Sequence, residues 1–188
     1  MIRRRVAVAV LLAAVAVAAS GCPWDDTASS DDTTTTANAN GINPMEEPER
    51  VRELIVEHLG RSPEIRRLSI DDNGFTVQVR DAAKPENLDD YQYHDGEWST
   101  RPVSVSMSEI QQYESVTFYL SDISWDVIPG LVDQALDGLD LEGQEANGVS
   151  FDRLPGERPR VFIGVTGLRG SGRLIANADG TDVDIQRS

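Results

Sequence analysis

The sequence predicts an α+β fold built from two tandem units, each a helix followed by an antiparallel sheet. Two amphipathic helical segments lie 77 residues apart with their apolar side chains in the same phase. Each segment is followed by short runs of alternating apolar and polar residues, separated by Gly- and Asp-rich turns, which is the pattern of β-hairpins. An apolar N-terminal stretch belongs to neither unit, because it has the layout of a targeting segment.

The first 21 residues have the features of a secretory signal peptide. Arg3–Arg5 precede an uninterrupted apolar run of 14 residues from Val6 to Ala19. A helix needs about 20 residues to cross a hydrocarbon core of ~30 Å, so this run is too short for a comfortable span. A basic start, a short apolar run and small residues at the end are typical of a segment removed on export. We therefore exclude residues 1–21 from the folded part.

Cys22 is the only cysteine of the chain and directly follows this leader. The sequence ASGC, from Ala19 to Cys22, resembles the lipobox of bacterial lipoproteins, although Ala19 stands where that family usually has leucine. The resemblance implies that Cys22 becomes the first residue of the mature chain and carries a thioether-linked diacylglycerol. Two or three acyl chains hold a protein lastingly on a membrane, since each buried CH₂ contributes about 0.8 kcal/mol. The alternative is ordinary cleavage near Ala18 or Ala19, which leaves a free thiol.

Residues 22–44 are rich in Thr, Ser and Asp and contain almost no apolar side chains. Such a segment cannot bury enough surface to offset the entropy lost on ordering. We therefore expect a disordered, acidic tether, with an r.m.s. reach of roughly 26 Å.

The whole chain is strongly acidic, with 17 Lys and Arg against 32 Asp and Glu and a net charge of −15. Removal of the leader takes away three arginines and no acid, so the mature chain is more negative still. This charge repels phosphate backbones and excludes nucleic acid as a partner. Anionic lipid head groups are also repelled within a Debye length of about 8 Å, so we expect membrane contact through the lipid alone.

The first unit spans residues 45–108. The sequence PERVRELIVEHLG has Pro48 in a first turn, apolar side chains at helical spacing and Gly60 as a stop. Strands are predicted at IRRLSI, at FTVQVRD and on both sides of a hairpin turn at Asp95-Gly96. The following stretch, RPVSVSMSEIQQYESVTFYLSDI, is interpreted as an extended connection, with Val116–Leu120 as a short strand.

The second unit spans residues 109–188. Its helix, SWDVIPGLVDQALDG, is predicted to end at Gly138, and strands follow at NGVSF, RVFIGVT, RLIAN and TDVDI. The first helix matches the second position by position, which indicates a duplication. The pairs are Val51 and Ile128, Leu54 and Leu131, Ile55 and Val132, His58 and Ala135, Leu59 and Leu136. The alternative is a chance likeness between two amphipathic helices.

The order of these elements, with SWDVIPGLVDQAL leading to RVFIGVTGLRGSGRLIANADGTDVDI, resembles a family of actinobacterial envelope lipoproteins. These proteins are built from PepSY-like or β-lactamase-inhibitor-protein-like repeats, and the resemblance covers roughly residues 48–188. It implies a fold of packed repeats and a role in binding or inhibiting other proteins, often peptidases. It brings no catalytic residue to this chain.

We find no catalytic, cofactor or metal signature in the folded part. His58 and His94 lie in different elements and share no metal-ligand spacing. The glycine-rich GVTGLRGSGR lacks the phosphate-loop spacing and is interpreted as a hairpin, and no G-x-S-x-G nucleophile elbow occurs. An EF-hand is excluded at Gly74 and at Gly180, because the position of the bidentate glutamate holds arginine or glutamine.

Two local questions stay open at this level. The neighbouring carboxylates Asp71 and Asp72, and likewise Asp89 and Asp90, could bind a cation weakly. Tyr91 and Tyr93 share one face of a strand, which either packs into the core or forms an exposed patch that anchors a partner.

The sequence therefore favours a binding module without catalytic activity, lipid-anchored on the outer surface of the cell membrane. We expect its partner to be another envelope protein, with an inhibitor-like role, and expect no cofactor or metal. The first alternative is a carrier of lipid or of a small apolar ligand, against which the mature chain shows no excess of apolar residues beyond a core. The second alternative is an enzyme that uses scattered acids or serines.

Overall fold

The structure is a computed structural model that describes residues 42–81, 83–84 and 86–188, without the side chains of Met107 and Glu109. The leader, Cys22 and the tether as far as residue 41 lie outside the described residues. Within the described part, none of the helices has the length and hydropathy of a membrane span. The first described residues are already packed, because Ile42 contacts the core and Pro44 is buried.

In the described residues, three α-helices and eight strands follow one another in the order helix, four strands, two helices, four strands. The helices are α1 (Pro48–Leu59), α2 (Met107–Val116) and α3 (Ile128–Leu139). The first four strands are β1 (Ile65–Asp71), β2 (Gly74–Arg80), β3 (Leu88–His94) and β4 (Glu97–Val103). The last four strands are β5 (Glu145–Asp152), β6 (Arg160–Gly167), β7 (Gly170–Asn177) and β8 (Asp184–Arg187). Short 3-10 turns at Leu120–Asp122 and Trp125–Val127 lead into α3.

All eight strands form one antiparallel sheet, in the order β4-β3-β2-β1-β5-β6-β7-β8. The two four-strand halves meet side by side at β1 and β5, where Leu68 lies opposite Phe151 and Ile70 opposite Val149. The α+β class is therefore confirmed, and the halves share a single sheet.

One face of this sheet carries the hydrophobic core. Alternate residues of the central strands, such as Leu68, Val77 and Ile163, are fully buried because successive side chains of a strand point to opposite faces. The same cluster includes Val51 and Ile55 of α1. It also includes Ile128, Leu131, Ala135 and Leu139 of α3. The two helices therefore lie on one face of the sheet and pack into one continuous core.

The predicted helices are confirmed, and one boundary is corrected. α1 begins at Pro48 and ends before Gly60, as its sequence predicts. α3 continues past Gly138 to Leu139 and is ended by Asp140, which adopts the left-handed conformation. A side chain at Gly138 would meet Ile185 of β8, so this glycine serves helix–strand packing and does not stop the helix.

The predicted extended connection is wrong over its middle part, because Met107–Val116 forms α2. Its apolar side chains are few, so the helical period is weak in the sequence. Tyr113 is 3 % exposed and donates a hydrogen bond from its hydroxyl to the Glu64 carbonyl oxygen at 3.0 Å. The predicted strand at Val116–Leu120 is reduced to one bridge, between Phe118 and Ile65.

The predicted hairpins are present. The turn between β3 and β4 has positive φ at Asp95 and Gly96, as a two-residue type I′ turn requires. The glycine-rich segment forms the β6–β7 hairpin, with Gly167 opposite Gly170. The boundary predicted between residues 108 and 109 falls inside α2.

The 77-residue match between the helices is only partly kept in their burial. Val51 and Ile128 are both buried, whereas His58 is exposed and its counterpart Ala135 is fully buried. The order of one helix and four strands nevertheless occurs in both halves.

Candidate binding surface

The face of the sheet opposite α1 and α3 carries mostly polar side chains. These residues alternate with the core positions, so that Ser69 of β1 lies opposite Thr76 of β2 and Ser150 of β5. α2 lies at one end of this face, where the guanidinium carbon of Arg80 is 4.9 Å from the centroid of the Tyr113 ring. We call the part of this surface on β1 and β5–β7 the open face, defined by Arg67, Ser69, Ser150, Arg160, Phe162, Arg173 and Ile175.

A hollow of about 570 Å³ lies in the middle of the open face. Its walls include the side chains of Arg67, Asp152 and Arg173. Its floor contains Gly148 and Gly164, which lie opposite each other in β5 and β6. Because two facing positions have no side chain, the sheet is locally thin, and a Cβ added to Gly164 would overlap the Asn147 amide oxygen. The hollow is broad and has charged side chains in its walls, which suits a protein surface better than a small apolar ligand.

An apolar pair adjoins this hollow. Phe162 of β6 and Ile175 of β7 lie directly opposite each other and are half-buried. The next core positions on β6, Val161 and Ile163, are fully buried on the other face. Phe162 and Ile175 therefore contribute apolar surface where the alternation would place polar side chains.

Two arginines flank the apolar pair. Arg173 donates from Nε and Nη2 to the Gln186 amide oxygen at 3.1 and 2.9 Å. Arg160 forms an ion pair with Glu157 at 2.7 Å, and both side chains are about two-fifths exposed. Aromatic side chains and arginine are enriched in protein–protein interfaces. The open face thus combines an apolar centre with arginines at its edges, on a protein of net negative charge.

A second aromatic group lies on the helix-covered face, at the outer end of the sheet. The ring of His58 stacks on that of Trp98, with centroids 4.1 Å apart and an interplanar angle of 5°. Tyr93 contacts both Trp98 and Phe75, at centroid distances of 5.3 and 5.2 Å. Tyr91 and Tyr93 are half-buried and packed against the core, so core packing is the better of the two interpretations left open by the sequence.

A buried carboxylate lies near the β4 end of the sheet, on the face opposite α1 and α3. Asp90 is 7 % exposed and accepts hydrogen bonds from Gln78 Nε2 and Arg101 Nη2, each at 2.9 Å. A buried charge is costly unless it is paired and hydrogen-bonded, and both conditions hold here. The side chain of Arg101 is itself 70 % exposed, so Asp90 fixes its position at the surface.

The two histidines lie in different elements and make different contacts. His58 is in the last turn of α1 and stacks on Trp98. His94 is exposed beside the hairpin turn, with Nδ1 2.9 Å from the Asn73 carbonyl oxygen. The described residues bring together no group of three or more His, Cys, Asp or Glu that could hold a metal ion.

The acidic turns have distinct electrostatics. Asp71 accepts hydrogen bonds from the backbone N–H groups of Asn73 and Gly74 and thereby closes the β1–β2 turn. Partial burial, with repulsion from Asp71 and Glu145, raises the pKa of the Asp72 carboxyl above its ordinary value. At Asp179, hydrogen bonds from Thr181 lower the pKa of the carboxyl. These features are explained by turn structure alone.

The apolar pair of the open face is not among the residues predicted from the sequence. A signal is visible in β6, where the sequence VFIGV is apolar without alternation. Such a run indicates a strand with apolar side chains on both faces. Whether the outer side chains of β6 are covered depends on a second layer over that face. Among the described residues, no helix lies over Phe162.

The sequence matches no protein-family model and no curated protein. Among solved structures, the fold is similar to the crystal structure of "a putative lipoprotein" from Clostridium difficile 630. The TM-score is 0.56 at 12% sequence identity, and the match covers 78% of this chain and 99% of that one. At this identity the likeness shows a shared fold.

Proposed function

We propose that this chain is a lipid-anchored extracytoplasmic binding module without catalytic activity, which binds another envelope protein through its open face. The observation that carries the proposal is the half-buried pair Phe162–Ile175, flanked by Arg160 and Arg173 on the face that α1 and α3 leave uncovered. Contiguous apolar patches rimmed by polar groups mark interaction sites, and this pair would form the centre of one. The partner would offer apolar side chains to the pair and carboxylates to the arginines, while nucleic acid is disfavoured by the net charge of −15.

The lipid anchor is supported by the N-terminal sequence and agrees with the description of the structural neighbour. ASGC at Ala19–Cys22 supplies the acceptor, and the neighbour of the same fold is described as a putative lipoprotein. An anchor at Cys22 on the outer surface of the cell membrane would place the folded part, from Ile42 onward, within reach of membrane proteins and of secreted peptidases. The proposed role is therefore inhibitor-like or adaptor-like.

Duplication of a helix-and-four-strand unit is the proposed origin of the fold. It is supported by the recurrence of that order in both halves and by the pairing of β1 with β5, the first strand of each half. PepSY-like or β-lactamase-inhibitor-protein-like repeats would have this arrangement. The hollow beside the seam between the halves would then be the natural binding site.

The lipid-carrier alternative has less support. A carrier needs an apolar cavity, whereas the hollow of the open face is lined by Arg67, Asp152 and Arg173 among other polar groups. The core side chains of both halves pack against one another in one cluster. We therefore retain protein binding as the proposed function.

Site-specific photo-crosslinking in native membranes tests this proposal. A photoreactive side chain at Arg173, on the open face, is compared with one at Gln134, on the exposed side of α3. We expect a protein adduct of one defined mass from Arg173 and none from Gln134, and expect Phe162→Ser to abolish it while the melting temperature shows a folded chain. Equal labelling at both positions, or an adduct that survives Phe162→Ser, contradicts the proposal.

A further inference from the structure

The outer edge of the sheet, at β4, is uncovered in the described part of the chain. β4 pairs with β3 on one side only, and it is the first strand in the sheet order. The side chains of five of its seven residues are exposed, namely Glu97, Ser99, Thr100, Arg101 and Pro102. An exposed edge strand presents unpaired backbone N–H and C=O groups, which can pair with another strand.

The hairpin geometry shows which backbone groups of β4 point outward. In a two-residue hairpin, the residues that flank the turn exchange hydrogen bonds, so His94 pairs with Glu97 in this way. Every second residue after Glu97 then also bonds to β3. The backbone groups of Trp98, Thr100 and Pro102 therefore point away from the sheet. Pro102 has no N–H to donate to β3, which agrees with its place in the outward set.

The charges on this edge are self-complementary. Glu97 and Arg101 lie on the same face of β4, two residues before and two residues after Ser99. If a second copy pairs antiparallel with the two-fold axis at Ser99, each Glu97 lies opposite the Arg101 of the other copy. Charged side chains on an edge strand commonly hinder pairing with another strand. Here the two signs are arranged so that they attract across the axis.

The same register satisfies the backbone. Trp98 of each copy lies opposite Thr100 of the other, and both have outward-facing groups, so two hydrogen-bonded pairs form. Pro102 then lies opposite Gly96, in the turn, where no donor is required. A shift of the axis to Thr100 would place Pro102 opposite Trp98 and lose a hydrogen bond. It would also separate Glu97 from Arg101, so both criteria select Ser99.

We propose that two copies of this chain associate through their β4 edges, antiparallel and centred on Ser99, to form one continuous sheet of sixteen strands. This self-association is independent of the partner bound at the open face, because β4 and β5–β7 lie on different parts of the sheet. It leaves the side chain of Arg101 bound to Asp90, with its exposed part free to meet Glu97 of the second copy.

Disulfide trapping tests the proposed register in the full-length chain in its native membrane. In this register the two Ser99 residues form a non-hydrogen-bonded pair with Cα atoms about 4.5 Å apart, which suits a disulfide. Ser99→Cys should therefore form a covalent dimer rapidly on mild oxidation. Ser121→Cys, also at an exposed serine, is the control for random collisions and should react at least tenfold more slowly.

Two substitutions, each added to the Ser99→Cys chain, test the backbone hydrogen bonds and the charge pairs of the proposed register. Thr100→Pro removes one outward N–H without touching a bond to β3, and should lower the dimer yield at least fivefold, whereas Thr100→Ala should not. Glu97→Arg should also lower it, because it places arginines opposite each other. Melting temperatures check that each variant is folded.

Either of two results overturns the proposal. One is equal trapping of Ser99→Cys and Ser121→Cys, and the other is equal yields from Thr100→Pro and Thr100→Ala. A disulfide-linked dimer of the wild-type chain would come from an unmodified Cys22 and would count against the lipid anchor, not against the edge pairing. The two proposals therefore fail in distinguishable ways.

Discussion

The β1–β2 turn depends on the absence of a side chain at Gly74. A Cβ at this position would overlap the backbone oxygen of Tyr93, which belongs to the neighbouring strand and cannot rotate away. We expect Gly74→Ala to lower the free energy of unfolding by about 2–3 kcal/mol, measured by urea denaturation. Gly130→Ala is the matched control, because no atom lies within 4 Å of its added Cβ and alanine favours the helix. It should be neutral or stabilising by up to about 1 kcal/mol, and a loss as large as that of Gly74→Ala would contradict this account.

Two turn carboxylates should respond to pH with opposite signs. The pKa of Asp72 is raised by partial burial and by repulsion from Asp71 and Glu145, so its ionisation destabilises the fold as pH rises above about 4. Asp72→Asn should therefore raise the melting temperature at pH 7. The gain in the free energy of unfolding should be less than about 1 kcal/mol, because solvent screens the site. The gain should disappear near pH 3, where Asp72 is protonated in both states.

Asp179 is the opposite case. Hydrogen bonds from Thr181 lower the pKa of Asp179, so its charged form stabilises the fold above the ordinary pKa, and that stability is lost as pH falls through the lowered one. Asp179→Asn should lower the melting temperature at pH 7 and have less effect near pH 2. If the melting temperatures of both variants changed in the same direction at pH 7, something other than these opposite pKa shifts would set the stability of the two turns.

At the scale of elements, α2 is attached to the sheet through buried side chains, among them Tyr113. Tyr113 is buried, and its hydroxyl donates to the Glu64 carbonyl oxygen, while burial raises the pKa of that hydroxyl. Tyr113→Phe leaves the carbonyl oxygen without this donor and should cost about 1–1.5 kcal/mol in urea denaturation. Tyr119→Phe, at a side chain that is 43 % exposed, is the control and should stay within about 0.5 kcal/mol of the wild type. Equal costs would mean that the Tyr113 bond contributes nothing specific.

How far these elements were predictable depends on the strength of each local signal. α1 was predictable to the residue, because Pro48, four apolar positions and Gly60 all point to the same boundaries. α2 was not, because Ser and Gln occupy much of its surface and its position depends on tertiary contacts such as the hydrogen bond of Tyr113. The end of α3 was misplaced because Gly138 is required for packing against Ile185, and a glycine with that role has the same sequence signal as a stop.

At the scale of the whole molecule, the seam between the halves could not be read from the sequence. β1 and β5 are separated by about 80 residues, and the alternation in each strand fixes which side chains share a face but not which strand lies beside it. The open face could not be predicted from the sequence for the same reason. Phe162 and Ile175 matter as a pair only because β6 lies beside β7 and α1 and α3 lie on the other side of the sheet.

The acidic composition also affects the behaviour of the whole molecule. A net charge of −15 favours solubility and repels anionic head groups, so attachment of this chain to a membrane would need another means. The proposed anchor at Cys22 supplies that means, and the open face and the β4 edge would then act where partners and second copies are concentrated. The anchor is thus the claim on which the cellular interpretation depends.

The most direct test of that claim is the intact mass of the mature protein, extracted with detergent from membranes of its own host. The account predicts a chain that begins at Cys22 and carries a diacylglycerol thioether, with the lipid released as a fragment on N-terminal peptide analysis. A mature chain with an unmodified thiol at Cys22, or one that begins downstream of it, would contradict the account.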